Sequence, residues 1–227
     1  MSYLLSTPNR RLKDIPSTLT GTTGMSGRLN GRDVIVSDSL LTRITVQARV
    51  ITGSSARKWF DISVAPDGLS FIACVENGQI YRYTRASTSA DWTTATEAVI
   101  TGSASRYWVG VSVAPDNLSF IACVYNGRIY RYTRASTSAD WTTATESLIT
   151  GSASRVWTDV SVAPDGLSFI ACVFNGQIYR YTRASTSADW TTATESVITG
   201  SASRTWFAVS VTHDNLSFIA CFAGQSI

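Results

Sequence analysis

The chain is 227 residues long, 44% hydrophobic and 15% charged, with a formal net charge of +3. This composition describes a folded domain able to bury a core, and no apolar run approaches the 18 or so residues of a transmembrane helix. The opening MSYLLSTPNRRLKD has no apolar stretch of the secretory kind. The expected location is therefore the cytoplasm or a virion, with no secretory signal and no membrane insertion.

The charge sits at one end. Residues 1–29 hold Arg10, Arg11, Lys13 and Arg28 against Asp14, whereas residues 30–227 carry fifteen basic and fifteen acidic side chains. A nucleic-acid-binding body shows a basic excess, because phosphate contacts supply most of its affinity, so no nucleic-acid partner is expected. The first 29 residues are rich in Ser, Thr, Gly and Pro and read as an extended arm. Arg10, Arg11 and Lys13 are its candidate assembly contacts.

From Asn30 onward the sequence repeats. Trp59, Trp108, Trp157 and Trp206 follow one another at 49 residues, and Cys74, Cys123, Cys172 and Cys221 keep the same beat. A period in this range marks a solenoid, a propeller or an array. Within one unit WFDISVA alternates, PDG turns, LSFIACV is a short apolar strand, ENG turns and QIYRYTR alternates again. After the polar ASTSAD comes WTTATEAVIT, rich in Thr and β-branched residues. Four short strands without helical period make a propeller blade, and we name them A to D in chain order.

The ends fit together. VITGSSARKW before Trp59 matches VITGSASRYW one period later, so Val50 to Gly53 end an outer strand, and NGRDVIVSDS from Asn30 resembles NGQIYRYTRA. The fourth unit stops at Ile227, just where its strand C is due. The expected fold is all-β, a four-bladed β-propeller over residues 30–227. Its last blade joins C-terminal strands A and B to N-terminal strands C and D, because an unclosed blade leaves strand edges unpaired. The alternative is strand exchange, with residues 30–53 completing a neighbour's blade.

The blade phrase, with its Ser/Thr-rich loop and Trp, resembles the repeats of BNR/Asp-box (sialidase-like) propellers. The turn STSADW keeps Asp91 and Trp92 but lacks the D-x-G core of an Asp box. The resemblance implies a propeller fold over residues 30–227. It implies no activity, since the arginine triad, Tyr/Glu pair and acid Asp of the sialidases have no asymmetric counterpart here.

No nucleophile elbow, phosphate loop or H-E-x-x-H occurs. Neither an enzyme nor a cofactor is expected, and no metal, since the four equivalent cysteines read as buried small hydrophobes. His213 stands in a turn, where the other units have Pro. The units differ at few places, chiefly Phe60/Val109/Thr158, Asp61/Gly110/Asp159, Glu76/Tyr125/Phe174 and Tyr107/Val156/Thr205, while Ile80 to Glu97 recurs unchanged. The D-to-A and B-to-C turns emerge on one face of a blade, so this variation collects on one face near the axis. Either the inner positions differ to fill a common space, or the face binds a ligand through Phe60, Tyr107, Tyr125, Phe174 and Phe207. A ring of Arg57, Arg106, Arg155 and Arg204 lies beside it, either converging on an anion or held locally by its own blade.

The expected function is a non-catalytic binding or structural propeller with protein partners reached through its arm. The assembly is a larger one such as a virion, where it decorates a capsid or presents a receptor-binding head, or a homo-oligomer. The alternative is a carbohydrate-binding, lectin-like module with a glycan partner, and the last is a sialidase-like glycoside hydrolase.

Overall fold

The computed structural model describes residues 25–29, 32–36 and 50–223, apart from 52, 53, 55 and 56. The chain forms two compact units, residues 1–48 and 49–227. In the first, β1 (Met25–Leu29) and β2 (Arg32–Val36) pair as an antiparallel hairpin, with Gly27 opposite Val34. Arg10, Arg11 and Lys13 lie outside the described residues.

The second unit is built of repeated antiparallel sheets, the blade units of a β-propeller. Blade 1 comprises β3 (Trp59–Val64), β4 (Ser70–Val75), β5 (Ile80–Thr84) and β6 (Thr96–Val99). Blade 2 comprises β7 (Trp108–Val113), β8 (Ser119–Val124), β9 (Ile129–Thr133) and β10 (Thr145–Leu148). Blade 3 repeats the order with β11 (Trp157–Val162), β12 (Ser168–Val173), β13 (Ile178–Thr182) and β14 (Thr194–Val197). A half blade follows, β15 (Thr205–Val211) paired with β16 (Phe218–Ala223).

Local chemistry sets these elements. The turn between strands A and B needs a left-handed residue, and Gly68, Asn117, Gly166 and Asn215 supply it with φ of +66°, +54°, +68° and +60°. Asn77, Asn126 and Asn175 do the same between strands B and C, with φ of 49° to 52°. In the polar loop Asp91 accepts a hydrogen bond from the Thr93 N–H at 2.8 Å and so caps a single 3-10 turn, Trp92–Thr94. Asp140 and Asp189 repeat that cap.

Blades pack face to face. Ile72, Cys74 and Ile80 of blade 1 lie against Trp108, Val111, Phe120 and Tyr132 of blade 2, all buried. Within each blade Phe stacks on Tyr, as Phe120 does on Tyr132 with centroids 4.7 Å apart. The central strand B is buried throughout. Cys74, Cys123 and Cys172 sit there as free thiols, while Cys221 in the half blade is exposed. Burial pushes the Cys172 thiol up to about 12, which leaves it protonated and inert.

The expected joint between the chain's ends is not among the described strand pairings. β16 pairs with β15 and β2 with β1, in separate two-stranded sheets. Val50 and Ile51 lie outside any strand, and Thr52 and Gly53 lie outside the described residues.

Candidate functional site

Strand A carries a β-bulge at the same place in every blade. The register skips one residue between Trp59 and Asp61, Trp108 and Gly110, Trp157 and Asp159, and Trp206 and Ala208. A bulge leaves its extra residue out of the ladder and re-aims it. Here the extra residues are Phe60, Val109, Thr158 and Phe207, and all four line one cavity. Neighbouring innermost strands approach closely enough for this: a Cβ on Gly110 of β7 would stand 3.0 Å from the Asp159 Cα of β11.

The cavity encloses about 330 Å³ and draws on the three blades and the half blade. Tyr107, Tyr125 and Phe174 join Phe60 and Phe207 in its wall, so the five aromatic candidates share one site. Phe60 and Tyr107 meet edge to face at 5.4 Å, Tyr107 and Tyr125 lie 4.9 Å apart, and Phe174 meets Phe207 at 6.2 Å. Phe60 and Phe207, 47% and 49% exposed, leave two large apolar rings half uncovered in the wall of the cavity.

Two carboxylates complete the wall, Asp61 and Asp159. Sequence variation marked both positions without marking them as site residues. Asp61 accepts the Ile62 N–H at 2.8 Å and, across to the next blade, the Val111 N–H at 2.7 Å. Asp159 accepts those of Val160 at 2.7 Å and Val209 at 2.8 Å. Burial raises Asp61 above the usual carboxylate range. It pushes Asp159 up to about 7, the charge on Asp61 adding to the effect against the two N–H donors.

The arginines are placed differently. Arg57, Arg106 and Arg155 do not line the cavity; each forms a two-pronged ion pair with Glu97, Glu146 or Glu195 on strand D of its own blade. Each also covers a tyrosine ring, Tyr81, Tyr130 or Tyr179, at 4.0–4.2 Å. The hydroxyls of Tyr83, Tyr132 and Tyr181 donate to the same glutamates. The invariant Glu forty residues after each invariant Arg was the sequence signal for this fork. Arg204 is exposed, over Phe222 at 4.5 Å, and no carboxylate among the described residues pairs with it.

His213 is an exposed turn residue. Among the described residues no group of three His, Cys, Asp or Glu side chains is placed to hold a metal ion, and no helix is long and apolar enough to cross a membrane. No family model matches the chain, and no curated protein matches it either.

Proposed function

We propose that the protein is a non-catalytic binding propeller whose ligand site is the axial cavity shared by its blades. One observation carries this reading: every residue that lines the cavity stands at a repeat position where the units differ. Phe60, Val109, Thr158 and Phe207 occupy one repeat position with three kinds of side chain, whereas Ile80 to Glu97 is spelled identically three times. Filling a common space needs unlike volumes, but it does not need two half-exposed phenylalanines around an open 330 Å³ cavity. Both carboxylates spend their oxygens on backbone N–H groups, which suits a wall better than proton transfer.

The test is ligand-observed NMR with a panel of neutral, cationic and saccharide probes. A saturable signal lost in Tyr107→Ala with Phe207→Ala, with thermal unfolding retained, supports the reading. Probes that bind the variant as well as the parent overturn it. A glycan among the retained probes would favour the lectin form of the proposal.

Closure belongs to the same proposal. Ile62 on the first strand of blade 1 is 61% exposed, against 3% for the equivalent Val111, and Ile219 on β16 is 71% exposed against 0% for the equivalent Ile121. These apolar faces are covered in the interior of the array and bare at its ends. The segment from Asn30 to Gly53 has the sequence of the missing strands C and D, so we assign it to the half blade. Attachment of the propeller to a larger assembly such as a virion, through residues 1–29, is the companion proposal; removal of residues 1–24 should abolish assembly and leave the propeller's unfolding unchanged. The capped 3-10 turns of Asp91, Asp140 and Asp189, each leading into a Trp, support kinship with Asp-box propellers.

A further inference from the structure

We infer that the axial cavity takes a small organic cation, of the alkylammonium class, held by aromatic rings and the two wall carboxylates. The inference rests on the reading of the cavity as a ligand site and adds the chemistry of its occupant. Three observations lead to it.

The wall has one sign of charge. Asp61 and Asp159 line the cavity, and among the described residues no lysine or arginine does. Three of the four arginines nearest in sequence to the wall strands are already neutralised by Glu97, Glu146 and Glu195. Two carboxylates facing one low-dielectric space repel each other, and each is disfavoured by loss of water. A cation between them offsets both costs.

Apart from the Tyr107 and Tyr125 hydroxyls, which can donate or accept, the polar side chains of the wall act as acceptors or are already engaged. Each Asp oxygen takes one backbone N–H and keeps capacity for a further donor. The Thr158 hydroxyl lies 3.0 Å from the Trp206 carbonyl, to which it donates. A neutral sugar or an anion needs donors from the protein. An ammonium group supplies its own, or, when fully alkylated, needs none.

Among the described residues, five of the ten in the wall are aromatic. Phe60, Tyr107 and Tyr125 come from blades 1 and 2, and Phe174 and Phe207 from blade 3 and the half blade. Rings on both flanks of a carboxylate pair suit an alkylated cation, because their quadrupoles attract positive charge and their surfaces cover its methyl groups. A bare metal ion would leave those rings without a role, and no third ligating carboxylate or histidine is placed to hold one among the described residues.

The experiment uses the full chain and two probes of matched shape, choline and its neutral carbon isostere 3,3-dimethylbutan-1-ol. Isothermal titration or ligand-observed NMR should show choline saturating and the isostere weaker by about tenfold or more. Phe207→Leu keeps the apolar volume and loses the ring, and it should weaken choline several-fold while leaving the isostere unmoved. Asp159→Asn should act in the same selective way, with thermal unfolding as the check on folding. If the isostere or a methyl glycoside binds as tightly as choline, the cation inference is overturned while the cavity stands as a ligand site. If no probe saturates and the folded variants match the parent, the ligand-site reading falls as well.

Discussion

The carboxylate of Asp61 reaches out of blade 1 to accept the backbone N–H of Val111 in blade 2, at 2.7 Å. Asp159 does the same for Val209 of the half blade at 2.8 Å, but the position between them is Gly110. The turns follow the same rhythm. Asn117 donates back to Asp67 at 2.6 Å, and Asn215 accepts from the Asp165 N–H at 3.0 Å, while Gly68 and Gly166 alternate with them. Blades 1 and 2 are thus joined by one kind of seam, as are blade 3 and the half blade. The seam between blades 2 and 3 lacks that carboxylate: it keeps the Ser112 hydroxyl as acceptor for the Val162 N–H at 3.0 Å and adds a close approach of Gly110 to Asp159.

That close approach sets the first prediction. Gly110→Ala places a methyl 3.0 Å from both the Asp159 Cα and the Cys123 Sγ, and backbone does not give way cheaply. The expected loss is about 1–3 kcal/mol, read from urea unfolding. Ala208→Gly, at the equivalent but exposed position, should cost under about 1 kcal/mol.

Asp159 gives the pH dependence. Its carboxyl is raised to about 7 by burial and by Asp61, against about 3.9 in an unfolded chain. Between those values the folded state holds a proton that the unfolded state has released, so this group's contribution to stability falls as pH rises from about 4 to about 7 and is flat above. In Asp159→Asn that slope disappears. Unfolding free energies at pH 4.5, 6 and 8 should therefore shift in the variant's favour by on the order of 1–3 kcal/mol across the window, screening included. A constant difference would show that Asp159 is ionised throughout.

The arginine ring separates into two kinds. Arg106→Ala breaks a forked pair with bonds of 2.8 and 3.0 Å and strips the cover from Tyr130, for an expected cost of about 1–3 kcal/mol. Arg204→Ala has no such pair to break and should lie within about 0.5 kcal/mol of the parent. Thermal melts of the two variants, side by side, check the contrast.

Closure can be tested by a covalent bond in the full chain. In the complete blades Cys74, Cys123 and Cys172 stand opposite Ile80, Ile129 and Ile178. Alignment of Asn30-Gly31 with Asn77-Gly78 puts Asp33 at that position for Cys221. Asp33→Cys should form an intramolecular disulfide with the exposed Cys221 under mild oxidation, since facing strand residues meet the Cα limit of about 7 Å. A disulfide-linked dimer would show strand exchange instead. No cross-link would sink the assignment of residues 30–53 to the half blade.

The strands were legible because each is short, alternating and punctuated by residues with one backbone use. Asn77 and Gly68 announce left-handed turns before any packing is considered. Phe60 and Phe207 were legible as candidates because their repeat position varies while the outer hairpin from Ile80 to Glu97 does not. The bulge that turns them to the cavity was not, since it is a register event between Trp59 and Asp61 that no single residue marks. Asp61 and Asp159 were missed for a related reason. A carboxylate in a strand reads as solvent-facing until its neighbour's N–H is found. The arginine fork needed the distance between strand D and the start of strand A, which periodicity alone does not supply.

The thrice-repeated phrase from Ile80 to Glu97 bears on how the chain finds its own shape. Its three copies carry the same hydrogen-bonding edge and the same Tyr, Trp and Arg side chains, so each fits the strands A and B of any blade equally well. Only chain connectivity tells the proper hairpin from an impostor, and the short connection between successive strands makes the nearest copy win the race. Refolding from denaturant at high concentration removes that advantage, and tangled species with outer hairpins borrowed from the wrong sheet are what such self-likeness produces.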